Sequence, residues 1–530
     1  MGYTDIYLDF IDGNGKAGDF YRARNLESVA AALDGLSFPR EKMATILHRQ
    51  NKSFGAGEAT LKNIDALTDP RAVALFSGQQ AVLFGGPLLV VVKALSIIKA
   101  ARLYSEQLQR PVLPIFWVAG DDHDFEEVNR ASVLNREGDI QTVVYGTPPD
   151  KELPTSQIRF ADRGELRRAI NELKEVLGET DFTAELYDGI EKAYSADDTF
   201  VSGFGKLMIR LLGRHGLVLF NPGDKEAKTV AAPLFKRIVQ SQDAVHNTLT
   251  ETNERIQSSG YHIQVEKADD STHLFYNDGG RKPIHREGKK FTCDGKSFSK
   301  EELLSLIDSH PERFSPDVIT RPVLQSYLFP VVSQKGGPSE IAYLAQINPV
   351  FELFDVVPPV HKARPSATLV EGRMQKLMEE YKIDFQELTG DIEQVINRVM
   401  SESFPDDIEQ EFSQLRQDVE LRFEQFAEKS LKFDPGLENF AKQTFGKVDY
   451  ALRNFEGKVF ASHKKKSDTT RQRIYRLGNA LYPDRSLQER KLNVSYFLAR
   501  YGTGVLDFAL EQIESEETAH QLLFLSEMTA

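Results

Sequence analysis

One seven-residue stretch concentrates reactive side chains: Asp121-Asp122-His123-Asp124-Phe125-Glu126-Glu127 sets five carboxyl groups and one imidazole side by side. Clustered carboxylates can chelate Mg²⁺, and a carboxylate or imidazole can serve as general base. Asp121, Asp122, His123 and Asp124 are therefore the candidate catalytic residues, with Asp121 and Asp122 the candidate metal ligands. A single histidine among carboxylates does not make a structural zinc set. The plain alternative is a solvated helix start, where acidic side chains favour the macrodipole. What precedes the cluster favours chemistry. Pro111 to Ala119 is a continuous apolar run, as in a strand buried on both faces of a parallel sheet. Ligands bind such sheets outside the carboxyl ends of their strands.

A second stretch has the same logic. Arg71–Ser77 reads as a strand. It leads through Gly78-Gln79-Gln80 and Gly85-Gly86-Pro87 into an apolar helix that begins Leu88-Leu89-Val90-Val91-Val92-Lys93. Strand, glycine-rich turn and helix N-terminus form a phosphate site in many α/β proteins. The spacing is neither G-x-x-x-x-G-K-[ST] nor G-x-G-x-x-G, so glycines needed only for close packing are an equal reading. Gln79 and Gln80 are amides able to bond a polar substrate. Lys93 and Lys99 follow at helical spacing, where either could meet a phosphate or solvent. Arg321 and Glu340 sit in turns rich in Pro and Gly, as holders of a carboxylate or amine or as ordinary ion-pair partners.

The elements that would position these groups follow from the rest of the chain. A length of 530 residues suits about three domain-sized units. Sixty-five basic against 79 acidic residues leave a net charge of −14, which argues against nucleic acid as the main ligand. A single cysteine, Cys293, excludes internal disulfides and Cys-rich metal sites. No stretch reads as a targeting signal, and the longest apolar run is too short to span a bilayer, so the expectation is a cytoplasmic protein without a membrane partner.

Strands alternating with helices over 1–149, 216–261 and 336–370 predict a doubly wound, parallel-sheet α/β core. Residues 150–215 read as a helical insertion, and 262–335 as a β-rich, mixed one. Beyond 370 the character changes. Ile408, Phe412, Leu415, Val419, Phe423 and Phe426, then Phe445, Val448, Leu452, Phe455 and Val459, recur at heptad spacing. With Asp434-Pro435-Gly436 as the turn, 371–470 reads as an antiparallel helical hairpin suited to structure or dimerisation. Residues 471–530 read as C-terminal helices.

Three blocks together carry a resemblance. Ser77-Gly78-Gln79-Gln80 with Gly85-Gly86-Pro87, the block Phe116-Trp117-Val118-Ala119-Gly120 running into the acidic cluster, and Gly337-Pro338-Ser339-Glu340-Ile341-Ala342-Tyr343 resemble the hallmark blocks of the BshC family. Phe314-Ser315-Pro316, Arg321-Pro322-Val323 and Gln488-Glu489-Arg490 extend the match along nearly the whole chain. The resemblance implies a Rossmann-like core similar to class I nucleotidyltransferases, with inserted connective segments and a C-terminal coiled coil that mediates a homodimer. It implies a ligase that joins the carboxyl group of L-cysteine to the glucosamine amine of glucosaminyl malate, giving bacillithiol. Amide formation from a carboxylate needs an activated acyl group, so ATP, with Mg²⁺, is the expected partner. Ser77, Gly78, Gln79, Gln80, Gly85, Gly86, Pro87, Lys93, Trp117, Arg321, Gly337 and Glu340 are the expected substrate- and nucleotide-binding residues.

The chain departs from the wider superfamily at two points. Gly85-Gly86-Pro87 stands where a His-x-Gly-His signature is expected, and Lys362-Ala363-Arg364-Pro365-Ser366 is a distant match to a Lys-Met-Ser-Lys-Ser loop. Both an acyl adenylate and an acyl phosphate therefore stay open. So do two other functions: an amide ligase for a different acid, and a non-catalytic coiled-coil sensor of a nucleotide or thiol metabolite.

Overall fold

The opening strand, β1 (Val73–Gln79), lies at the centre of a five-stranded parallel sheet with β2 (Val112–Val118), β3 (Val218–Phe220), β4 (Val331–Gly336) and β5 (Val360–Ala363), in the order β5-β4-β1-β2-β3. The structure is a computed structural model describing residues 3–23, 25–160, 162–402 and 408–528. Every residue of β2 and of β4 is buried, as strands covered on both faces require. Helix α1 (Leu88–Leu108) links β1 to β2, α2 (Lys225–Gln240) follows β3, and α3 (Pro338–Ile347) links β4 to β5. The winding therefore reverses between β1 and β4, and a crevice opens there beyond the carboxyl ends of the strands.

Alternate residues of the strands pack an aromatic cluster. Trp117 lies 5.0 Å from Phe220 and 6.3 Å from Phe76, and Phe329 lies 5.3 Å from Phe76. Gly78 pairs with Trp117 so closely that a Cβ would stand 2.6 Å from the Trp117 carbonyl oxygen. Only glycine lets the two strand ends meet at that spacing.

The chain forms two compact units, one of residues 1–370 with 487–530, the other of 371–486. In the first unit, 150–215 carries three helices, Arg163–Leu177, Thr183–Ala193 and Phe200–Leu212. The insertion carries an antiparallel sheet built from Ser271–Asn277, Arg281–Glu287, Lys290–Cys293, Lys296–Phe298 and Phe314–Pro316. Two expectations change. Val331–Lys335, assigned to that insertion, belong to a central core strand whose six buried residues show no alternation to mark it. The stretch 471–530 is not helical throughout and is shared between units. His520–Phe524 is a strand paired in parallel with Ser366–Val370, a partner too distant in sequence for any local pattern to report.

In the second unit, α4 (Ile408–Phe433) and α5 (Glu438–Leu481) form the expected antiparallel hairpin, joined at Pro435–Leu437 with Asp434 capping Gly436 N. Phe412 meets Phe455 at 5.7 Å and Phe423 meets Phe445 at 5.4 Å. Leu415 and Phe426 leave the seam and are 44% and 71% exposed; Arg416 takes an inner place and pairs with Asp449.

Candidate active site

The crevice at the switch point is a cleft of about 560 Å³. The end of β1 and the turn after it bring Gly78, Gln79 and Gln80, and the end of β2 and the turn after it bring Trp117, Ala119, Asp121 and Asp122. The start of α3 adds Gly337–Glu340, and the β-rich insertion adds Lys267, Phe275, Arg281, Asp317 and Arg321. Arg364 and Arg490 complete the wall.

One side is organised around a buried lysine. Lys93, 3% exposed, donates to Gly78 O at 2.8 Å, to Gln79 Oε1 at 3.0 Å and to Glu340 Oε2 at 2.7 Å. An ammonium has three protons, so all are committed, and Lys93 sets the shape of the cleft floor instead of reaching for a phosphate. Burial lowers its pKa, against the opposing pull of Glu340. Burial pushes the Glu340 carboxyl upward, but Lys93, Arg321 and the Gly337 N–H outweigh it and hold the group below its ordinary range. Arg321 bonds the Tyr343 hydroxyl, whose own pKa burial pushes up to about 12. Arg364 and Arg321 both lie close enough to Lys93 to disfavour its charge, so this side is cationic around one carboxylate.

The opposite side is acidic and held from below. Asp121 accepts from Lys228 at 2.6 Å, and Lys228 is 2% exposed, with its pKa lowered by burial. Asp122 accepts from Gln80 Nε2 at 2.8 Å and from the His123 N–H at 2.8 Å. His123 stands beside the cleft with Nδ1 3.2 Å from the Arg281 guanidinium.

Some expected site residues stand elsewhere. Asp124 caps the short helix Phe125–Val128 through the Glu127 N–H and does not line the cleft. Ser77 is turned into the sheet, where its hydroxyl bonds Lys335 O at 2.9 Å. Gly85, Gly86 and Pro87 do not form a phosphate cradle. Leu88 N donates to Leu492 O at 2.8 Å and Gly86 O accepts from Val494 N at 3.1 Å, so the C-terminal segment occupies this turn. Both glycines have positive φ, and a Cβ at Gly85 would stand 3.0 Å from Val494 Cγ1. These glycines serve conformation and packing. As for a metal, Asp121 is already paired with Lys228, and among the described residues no group of three or more His, Cys, Asp or Glu is disposed to hold one.

Sequence reasoning missed Lys228, Arg281, Asp317 and the role of Arg364. The block Gln488-Glu489-Arg490 was visible, but its chemistry was not. Gln488 forms both backbone bonds of a strand neighbour with Leu369, and Glu489, fully buried, accepts from Arg364 at 2.8 Å and from Ala367 N at 3.0 Å. These anchors set Arg490 at the cleft wall. Cys293 is buried, and burial raises its thiol pKa to about 11, which suits a packing role.

Residues 3–365 match the family described as "Bacillithiol biosynthesis BshC, N-terminal Rossmann-like domain", and residues 367–525 match "Bacillithiol biosynthesis BshC, C-terminal coiled-coil domain". A protein of Koribacter versatilis is 32% identical over 510 residues, covering 95% of this chain and 94% of its own. One of Salinibacter ruber is 30% identical over 532 residues, with 98% and 96% covered. One of Geobacillus kaustophilus is 28% identical over 533 residues, with 98% of each covered. All three carry the name "Putative cysteine ligase BshC".

Proposed function

This chain belongs to the BshC family of bacillithiol biosynthesis, and on that premise we propose that it is an ATP-dependent ligase joining the carboxyl group of L-cysteine to the glucosamine amine of glucosaminyl malate. The observation that carries the reading is a cleft of two signs at the topological switch point. Both reactants bear carboxylates and amines, so a site that orders them needs cationic and acidic walls facing each other. Arg321, Arg364 and Arg490 present guanidinium groups suited to carboxylate or phosphate. Asp122, oriented by Gln80, is suited to hold the amine and accept its proton as nitrogen attacks. Asp121 is fixed by Lys228 and adds negative charge beside it.

ATP fits this cleft better than the glycine turn, whose Leu88 N–H is bonded to the returning chain. The Ser339 N–H and hydroxyl at the N-terminal end of α3, with the three arginines, offer donors of the kind a polyphosphate needs. When bound, ATP supplies the leaving group that activates the cysteine carboxyl. Magnesium would enter on the nucleotide, as is usual for a cation that keeps its waters and binds substrate phosphates. The residues Gln79, Gln80, Gly78 and Trp117 form the floor against which both reactants are ordered.

A homodimer through the hairpin is the proposed assembly, supported by Phe426, Phe440 and Tyr450, 71%, 70% and 71% exposed on α4 and α5. A cytoplasmic location is proposed with it; among the described residues no helix is long and apolar enough to cross a membrane. Incubating the protein with ATP, cysteine and glucosaminyl malate, with mass spectrometry of all products, tests the reading. Bacillithiol with AMP marks an adenylate route, and bacillithiol with ADP an acyl phosphate. Folded protein that binds these compounds without forming the amide would overturn the ligase in favour of a sensor.

A further inference from the structure

A cation lining the cleft can take a ligand only through protons it has not already committed. Lys93 gives all three of its own to Gly78 O, Gln79 Oε1 and Glu340 Oε2. Lys228, 2% exposed, lies beneath Asp121 at 2.6 Å. Arg281 is engaged by Ser315 Oγ, Pro316 O and His123 Nδ1. Lys267 differs. Its side chain is 28% exposed at the cleft wall, and its one partner among the described residues is Asp317, with Nζ 3.2 Å from Oδ2. Asp317 does not depend on that contact. It is 4% exposed, its Oδ1 accepts from the Ile319 N–H at 2.9 Å and the Thr320 N–H at 3.1 Å, and His273 Nδ1 stands 3.1 Å from Oδ2. Burial pushes this carboxyl upward, but His273, Lys267 and the Thr320 N–H outweigh it and hold the group below its ordinary range. At least two of the three Lys267 protons are left to the cleft. The backbone that carries them is anchored on both sides. Gln346, 1% exposed near the end of α3, accepts from the Gln264 and Val265 N–H groups at 3.0 and 2.9 Å and donates to Val265 O at 2.9 Å. The Ser271 N–H bonds Ala268 O at 3.0 Å as the strand Ser271–Asn277 begins.

We propose that Lys267 is a substrate-binding residue: positioned by Asp317, its ammonium takes an oxyanion of a bound reactant, a carboxylate or a phosphate. The identity of the reactants rests on the ligase reading above. A tetrahedral ammonium can keep one proton on Asp317 and give the others to the oxyanion, so binding leaves no buried charge unpaired.

Two arms test it, neither of which needs turnover. In the first, the full chain is acetylated with N-hydroxysuccinimidyl acetate, alone and with saturating ATP, L-cysteine or glucosaminyl malate, with binding of each followed by calorimetry and labelling at each lysine read by mass spectrometry. At least one of the three should slow labelling of Lys267 while leaving Lys442, 72% exposed on the hairpin, unchanged. Protection by ATP identifies the oxyanion as a phosphate, and protection by either of the others as a carboxylate. In the second, Lys267→Met should weaken binding of the protecting compound by about 10-fold or more at an unchanged urea midpoint, the scale of one hydrogen bond to a charged group, and Lys267→Arg should recover most of that loss. A reactant that binds while Lys267 is labelled as before, or an affinity that Lys267→Met leaves unchanged, would overturn the proposal and leave the ligase reading standing. Binding of none of the three would overturn that reading and the proposal with it.

Discussion

Replacing Lys93 by Met removes the charge under the cleft while nearly preserving volume, so the consequence is electrostatic and not a cavity. Three acceptors lose their donor: Gly78 O, Gln79 Oε1 and Glu340 Oε2. The first two lie in residues that line the cleft and can turn to water. Glu340 keeps the Gly337 N–H at 2.9 Å and the nearby Arg321 charge, but its principal partner is gone. Breaking a buried pair from one side costs about 3–5 kcal/mol, and the surviving partners place this case near the lower figure, about 3 kcal/mol. Neutralising the stranded carboxylate should recover most of that, leaving Lys93→Met/Glu340→Gln within about 1 kcal/mol of the unmodified protein.

The sign with pH is also set. Glu340 is held below its ordinary pKa in the folded protein, so its contribution is present above the unfolded carboxylate range and is lost as pH falls through the folded value. Without Lys93 the largest pull holding the carboxyl down is gone, and burial is left to push its pKa up. The deficit of Lys93→Met should then be full at pH 8 and shrink on acidification. The one tryptophan, Trp117, is 1% exposed in the first unit, so its fluorescence in urea titrations reports that unit's unfolding. A loss below about 1 kcal/mol, or a double variant no better than the single one, would refute the claim that this pair is a coupled buried charge.

Gly78→Ala should destabilise the first unit by about 2 kcal/mol or more, because its Cβ meets the Trp117 backbone, which cannot give way cheaply; an unchanged urea midpoint would contradict the close approach. Arg490→Met should raise KM for the carboxylate-bearing substrates by about 10-fold or more with little change in the urea midpoint, if the guanidinium pairs with a carboxylate or phosphate; steady-state kinetics beside unfolding curves separate the two effects. Cys293 should resist alkylation at pH 8 in native protein and react once unfolded, and Cys293→Ala should retain turnover; rapid labelling of folded protein would refute its buried, protonated state.

Much of the candidate site was legible along the chain because open parallel sheets place ligands where apolar strands end. Gln79, Gln80, Asp121, Asp122 and Trp117 lie within or just beyond two such strands, and Gly337 and Glu340 follow a third. The same rule misled at Gly85-Gly86-Pro87, where a glycine turn before a helix has the local form of a phosphate site. Its groups are engaged: the Gly86 N–H bonds Leu83 O within the turn, and from more than four hundred residues later Leu492 O takes the Leu88 N–H while the Val494 N–H donates to Gly86 O. Asp124 misled for a related reason. A carboxylate one residue before a helix can cap it or face a cleft, and only the backbone geometry distinguishes them.

Composition, periodicity and strand-end chemistry by themselves determined the α/β core and the helical hairpin, and marked the acidic cluster as a candidate place for chemistry. These are properties of neighbouring residues, and their period or polarity survives without knowledge of contacts. Tertiary structure alone decided the protonation partners. Lys228 lies 107 residues from Asp121, Arg281 lies 158 from His123, and Lys93 lies 247 from Glu340. A buried charge needs an opposite charge or a set of dipoles within a few ångströms. Which residue supplies it is fixed by how the sheet, the insertion and the returning C-terminal segment pack, and no local pattern carries that information.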